Sequence, residues 1–209
     1  MEEKSEFTLK GIVLVKYHGK DANVTIPDGV RSIRRGAFRK NSAMTSLTIP
    51  EGVEKIPAGI YSECRNLKDV YFPSTLQKLN MYAFENCHAV EAFHVADIDT
   101  WFHLRMDSGP YVAPFYWGYR LCVGGEQVTE LVIPENVTEI GPWAFCGCRG
   151  LRRVTLHADM RKIGAGAFRC PDLNGIYISD LKAYLSMDVD GVCWIHRERN
   201  VRYISMGNA

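Results

Sequence analysis

A one-sided charge, a long apolar run and a paired metal-ligand motif are all missing from this 209-residue chain. Its 25 Lys and Arg stand against 24 Asp and Glu, so no general field draws in nucleic acid or anionic lipid. No apolar stretch nears the roughly 20 residues needed to cross a bilayer. The opening from Met1 to Phe7 has no apolar core of a secretory leader. The expectation is a cytoplasmic protein as the sequence stands, with the cell surface or secretion as the alternative if a leader has been removed. The cysteines number 7, an odd count that argues against a fully paired disulfide scaffold.

Catalytic signatures are missing as well. Cys146 and Cys148 have no second Cys or His pair at zinc spacing to answer them. His18, His88, His94, His103, His157 and His196 are scattered, and a Cys–His nucleophile pair could be assembled only by assuming contacts. Gly124-Gly125 and Gly164-x-Gly166 read as turn glycines, because they lack both the GxGxxG spacing and the lysine of a phosphate loop. These absences point away from an enzyme, a cofactor or a bound metal.

What the chain does have is a repeat. Val24-Thr-Ile-Pro-Asp-Gly-Val-Arg-Ser-Ile-Arg-Arg-Gly-Ala-Phe38 returns from Leu47 to Tyr61, Val70 to Phe84, Leu131 to Phe145 and Val154 to Phe168, spaced by 23 residues within each block. A fixed period of this size specifies stacked coils, a solenoid in which each coil buries its apolar side chains against its neighbours. Leu67-x-x-Val70-x-Phe72 has the alternation of a short strand, and Met44-x-x-Leu47-x-Ile49 and Leu151-x-x-Val154-x-Leu156 share its frame. Pro27, Pro50, Pro73 and Pro134 mark strand ends, since a proline in a strand paired on both sides forfeits a ladder bond. Gly29, Gly52, Thr75, Asn136 and Asp159, two residues later, point to a turn whose residues tolerate positive φ, with Thr75 the misfit.

A second apolar cluster follows: Val30-x-x-Ile33, Val53-x-x-Ile56, Leu76-x-x-Leu79, Val137-x-x-Ile140 and Met160-x-x-Ile163. Behind it come Phe38, Tyr61, Phe84, Phe145 and Phe168, which are expected to stack as an aromatic spine. Cys64, Cys87, Cys148 and Cys170, with Asn41 in the first repeat, form a column just after that aromatic. They are expected to be reduced, buried thiols acting as small hydrophobes.

The pattern Leu-x-x-Val-x-Ile-Pro-x-x-Val-x-x-Ile-x-x-x-Ala-Phe-x-x-Cys resembles the BspA-like subclass of leucine-rich repeat proteins, from Phe7 to about Ile178. The resemblance implies a right-handed solenoid with a short-strand sheet on one face. Members from bacteria and some parasitic protists are often surface-exposed, and several adhere to host proteins or cells. No catalytic motif belongs to the family, so none carries over.

The expected organisation is one leucine-rich-repeat-like solenoid domain over residues 1–209. Residues 1–23 form an N-terminal β-hairpin cap, with Gly11 and Gly19 near turns, and 24–92 hold three 23-residue repeats. Residues 93–130 make an enlarged coil with an aromatic insert, 131–175 two more repeats, and 176–209 a C-terminal coil and cap. Asp97 and Asp180, 83 residues apart, are placed to cap short helices that replace the Val-x-x-Ile segment.

Two surfaces compete as binding sites. The outward sheet positions form two columns, one of Asn23, Ser46, Asp69, Ala92, Glu130, Arg153 and Gly175, the other of Thr25, Thr48, Tyr71, His94, Val132, Thr155 and Tyr177. Tyr71, His94 and Tyr177 alone have the size and chemistry to anchor a partner there, while the Thr and Ser equally suit a solvated sheet. The insert carries seven aromatics in the nineteen residues from Trp101 to Tyr119. Trp101 is assigned to the core. Tyr111, Phe115, Tyr116 and Trp117 are candidates for an exposed patch, against the reading that they plug the longer coil. The expected function is a non-catalytic protein-interaction module, a binding scaffold; the alternative is a cell-surface adhesin fragment that binds a host protein or glycan. A protein partner is expected, with no nucleic acid and no transmembrane segment, and self-association through the C-terminal end coil is a further option.

Overall fold

The computed structural model describes residues 6–84, 86–107, 118–178 and 180–189. Contacts group the chain into two compact units, Met1–Val112 with Cys122–Gly125, and Ala113–Leu121 with Glu126–Ala209. Each is a β-solenoid, and together they carry about seven turns. In the first unit Asn23–Thr25, Ser46–Thr48, Asp69–Tyr71 and Ala92–Val95 pair in parallel, with the repeats in register. Val24, Leu47, Val70 and Phe93 thereby share one buried row.

After each proline the chain turns and lays down a second column of short strands. Lys55–Ile56, Lys78–Asn80 and Arg105–Asp107 form one parallel sheet. Ser32–Ile33 pairs instead with Val13–Tyr17, the inner strand of an antiparallel hairpin with Phe7–Lys10. The second unit repeats both columns, Glu130–Val132, Arg153–Leu156 and Gly175–Ile178 in one, Glu139–Ile140, Lys162–Ile163 and Asp188–Val189 in the other. Gly124 and Gly125 are turn residues of a hairpin between Arg120–Val123 and Glu126–Gln127.

The spine is present in both units. Ring centroids lie 5.6 Å apart for Tyr17–Phe38 and Phe38–Tyr61 and 5.1 Å for Tyr61–Phe84, while Phe145 and Phe168 stack at 5.5 Å. Trp101 is buried against Phe72 and Phe93, as its helical spacing required. It sits on the helix Ile98–Phe102, where the Asp97 carboxylate accepts the Asp99 N–H. Asp180 likewise caps Leu181–Ser186, accepting from Lys182 and Ala183. These helices precede the second strand rather than replace it. Arg105–Asp107 and Asp188–Val189 follow them and pair with the coil before, because Lys78–Asn80 and Lys162–Ile163 carry backbone groups that need ladder partners.

Positive φ is found at Gly29 and Gly52 in the first turn column, whereas Asn136 and Asp159 turn without it. The left-handed non-glycine residues among those described are Lys40, Glu63, Asn86 and Trp143. Three of these lie two residues after the spine aromatic, so that corner carries backbone strain which the residue types did not announce. Thr75 is explained by an inter-coil bond: its hydroxyl accepts the Gly52 N–H at 2.8 Å and donates to Val53 O at 3.3 Å.

Such bonds tie coil to coil throughout. The thiols of Cys64, Cys87 and Cys170 donate to the carbonyls of Phe38, Tyr61 and Phe145, at 3.0, 2.9 and 3.0 Å. The column is therefore more than a set of small hydrophobes, since each of these thiols adds a second hydrogen bond to the carbonyl of the aromatic one coil earlier. Asn41, at this place in the first coil, also reaches back along the chain, donating to Gly19 O and accepting from Ala43 and Met44 N–H. The Glu51 carboxylate accepts from Ser74 and Thr75. Partial burial works to raise its pKa, but those hydrogen bonds outweigh it and hold the carboxyl below its ordinary value.

The six described cysteines are buried thiols outside any disulfide, and Cys193 lies outside the described residues. The neighbouring Cys87 thiol and burial push Cys64 up, and burial does the same to Cys146 and Cys170, which keeps these sulfurs protonated and unreactive. Thiol titration under denaturing, non-reducing conditions is expected to recover close to 7 per chain, and far fewer in the native state. Recovery of one or three after denaturation contradicts the column's role.

In the stack from Phe38 to Phe84 the Tyr61 hydroxyl stands between two apolar rings. That oxygen is buried with no hydrogen-bond partner among the described residues. Tyr61→Phe is therefore expected to raise stability by about 1 kcal/mol, read as an increased urea midpoint at unchanged m-value. A loss of stability means the hydroxyl has a partner.

Candidate functional site

The parallel register of the first unit sets Tyr71 beside His94 on the outward sheet face. Their rings stack with centroids 4.2 Å apart and planes at 14°. Asp69, two residues before Tyr71 and so on the same face, holds His94 Nε2 at 2.8 Å from its Oδ1. The other ring nitrogen, Nδ1, is buried with no hydrogen-bond partner among the described residues. Tyr71 remains 41% exposed. The result is a flat aromatic platform, backed by an imidazole that a carboxylate fixes in place.

The earlier rows of this face are bland. Ser46 Oγ donates to Asn23 Oδ1 at 2.9 Å, so these short polar groups satisfy one another. Ala92 and Gly175 are buried although they occupy outward positions, because side chains this small do not rise clear of their neighbours. Sequence reasoning found Tyr71 and His94 but gave Asp69 no role. A carboxylate and a histidine 25 residues apart, on diagonal sheet positions, were the available signal.

In the second unit Tyr177 is half-buried, and the Arg153 guanidinium stands 3.7 Å above its ring. This cation–π contact occupies a face that a partner would need. Val132, in the same outward column, is 69% exposed. Tyr111, Phe115, Tyr116 and Trp117 lie outside the described residues. At the two ends of the insert Phe102 is half-buried and Tyr119 buried.

A second concavity lies along the other strand column of the first unit, a cavity of about 670 Å³ lined by Arg31, Ser32, Gly52, Glu54, Lys55, Ile56, Pro57, Ala58, Lys78 and Asn80. Sequence reading passed over it. Its signal was the recurrence of lysine at positions 55 and 78, one period apart and just before the second apolar cluster's last residue. No group of three or more His, Cys, Asp or Glu is placed to hold a metal ion among the described residues. Among them, too, no helix is long and apolar enough to cross a membrane.

The model of a family described as BspA type leucine rich repeat region matches residues 17–100 and 122–187, in 6 copies. Among solved structures, the pneumococcal vaccine antigen PcpA is 15% identical, with 88% of this chain and 45% of the antigen covered and a TM-score of 0.52. A leucine-rich repeat protein from Bacteroides ovatus is 19% identical, with 90% of this chain and 46% of that one covered and a TM-score of 0.44. A leucine rich cell surface protein from Faecalibacterium prausnitzii is 16% identical, with coverage of 88% and 80% and a TM-score of 0.38. The chain thus spans less than half the length of the first two. Likeness at these identities speaks to fold alone. No curated protein matches.

Proposed function

We propose, from the premise that this chain belongs to the BspA-type leucine-rich repeat family, that it is a non-catalytic scaffold binding a protein partner through the first unit's sheet face. The observation that supports this reading is the Tyr71–His94 stack, an exposed ring lying on an imidazole that Asp69 holds in place, on a face otherwise built of small polar residues. Rigid aromatics lose little conformational entropy on binding, which is why such residues dominate interface energies.

A photo-reactive phenylalanine analogue at position 71 is expected to label one discrete partner in extracts of the source cells or their host, and the same analogue at position 48 to label it weakly. Tyr71→Ala with His94→Ala is expected to weaken that partner by roughly 2 kcal/mol or more, about thirtyfold. Equal labelling at both positions, or unchanged affinity of the double variant, removes the reading. The exposed ring also suits a sugar face, so the second reading is a cell-surface adhesin taking a glycan at the same place. Crosslinks to carbohydrate in place of polypeptide favour it.

A further inference from the structure

Among the described residues, the second strand column is laced coil to coil at every step within a unit but one. Gln77 and Lys78 N–H donate to Glu54 O, Arg105 N–H to Gln77 O, Arg161 and Lys162 N–H to Thr138 O, and Asp188 N–H to Arg161 O. At the head of the column Arg31 and Ser32 N–H donate to Ile12 O in the same way. The missing step runs from Glu54 and Lys55 N–H back to Arg31 O, and Ser32–Ile33 and Lys55–Ile56 accordingly belong to separate sheets. Pro57 supplies the physical reason. Arg34 and Gly164, at its repeat position, each donate an N–H to the strand before, to Leu14 O and Ile140 O at 2.8 Å. Pro57 has no N–H to give Ile33 O, and the ladder opens there.

The 670 Å³ cavity lies at this opening, lined by Arg31 and Ser32 from one strand and Lys55 and Ile56 from the other, and its size is that of small-molecule sites. The successive N–H groups of Glu54 and Lys55, without a ladder carbonyl, make a pair of the kind that holds anions. The Arg31 guanidinium is fixed through one nitrogen, Nη1, which donates to Glu51 O at 3.0 Å and Val30 O at 3.2 Å. Gly52 at φ 91 gives it room, because a Cβ there would overlap Nε and Cζ. The Nε–Nη2 edge makes no hydrogen bond among the described residues, and its two parallel N–H groups fit a carboxylate side-on. The Lys55 ammonium makes no ion pair among them either.

We propose that this break in the ladder is a binding site for a small aliphatic monocarboxylate. The carboxylate takes the Arg31 edge, Lys55 and the two N–H groups, while its apolar body rests on Pro57 and Ala58. Charge selects a monoanion: on the lining Glu54 opposes Arg31 and Lys55, which leaves one net cation, and Lys78 has a partner of its own. A phosphate dianion brings more charge than that and meets the Glu54 carboxylate. The site lies on a different strand column from Tyr71 and His94, and it stands or falls independently of them.

The test titrates the full chain with isovalerate, its neutral isostere isovaleramide, and inorganic phosphate, read by amide NMR. Isovalerate is expected to bind saturably and to move the Glu54 and Lys55 amide protons downfield; the amide is expected to do neither. Arg31→Lys, which keeps the charge but loses the two-donor edge, is expected to weaken isovalerate roughly tenfold. Should that variant lower the melting temperature, Lys55→Gln carries the test, since Lys55 is exposed; a loss of roughly threefold is expected there. Lys162→Gln, at the matching position of the second unit where the ladder is closed, is expected to leave binding unchanged. The proposal is overturned by still amide signals at positions 54 and 55, by equal binding of isovaleramide, by tighter binding of phosphate, by wild-type affinity in Lys55→Gln, or by equal losses at positions 55 and 162.

Discussion

Phe145→Ala is expected to lower the unfolding free energy by about 3–5 kcal/mol, the usual loss for a fully buried phenylalanine. The ring is 0% exposed and stacks on Phe168 at 5.5 Å with planes 13° apart. The backbone at this position is also pinned, its N–H donating to Ala167 O at 2.8 Å and its carbonyl accepting the Cys170 thiol. Truncation therefore leaves a cavity that the coil cannot close by shifting. Asn41→Ala makes a fair comparison, since Asn41 is half-buried and loses three hydrogen bonds but little apolar area. About 1–2 kcal/mol is expected there. Urea melts that rank Asn41→Ala above Phe145→Ala contradict the assigned packing.

Gly164→Ala is expected to cost roughly 1–3 kcal/mol, the range for forced overpacking. A Cβ on Gly164 would stand 2.4 Å from Pro142 N and 2.8 Å from Gly141 C and Pro142 Cα. These are backbone atoms of the coil before, so no rotamer change relieves the clash; the two coils must move apart. Gly141 holds the same place one period earlier, and a Cβ there meets nothing within 4 Å. Gly141→Ala is accordingly expected to change stability by less than about 0.5 kcal/mol. Equal shifts in melting temperature for the two variants mean that the backbone approach does not set coil spacing at this corner.

The fold was legible because a solenoid imposes the same environment on every turn. Val70 and Phe72 could be placed inside from the frame they share with Leu47 and Ile49, and Trp101 could be placed in the core from its match with Tyr184, which is buried too. What the letters did not show is what the period leaves free. The Cys64 and Cys87 thiols were read as bulk, since nothing in the residue type says that a carbonyl one coil earlier, already accepting one backbone N–H, lies within reach of the sulfur as a second donor. Trp143 was not singled out at all. It sits at φ 61, at the repeat position that Gly36, Gly59 and Gly166 hold in other coils, and its ring lies where a side chain on Gly166 would be. The Tyr71–His94 pair was visible as two outliers in a Thr-rich column, whereas the Asp69 carboxylate on His94 was hidden, because it comes from register and register needs strand pairing.

The bonds that lace coil to coil, such as Thr75 to Gly52 and Cys87 to Tyr61, join residues 23 and 26 positions apart. Within each unit a strand finds its partner one period away, roughly a tenth of the chain length, which is the range of contact separation typical of helical bundles rather than β-sandwiches. Parallel sheets ordinarily fold slowly because distant segments must meet before any bond rewards them. Here the crossover is a single coil, so only a short loop closes at each step. Refolding in stopped flow is expected on the millisecond scale or faster, with each completed coil serving as the template on which the next one zips.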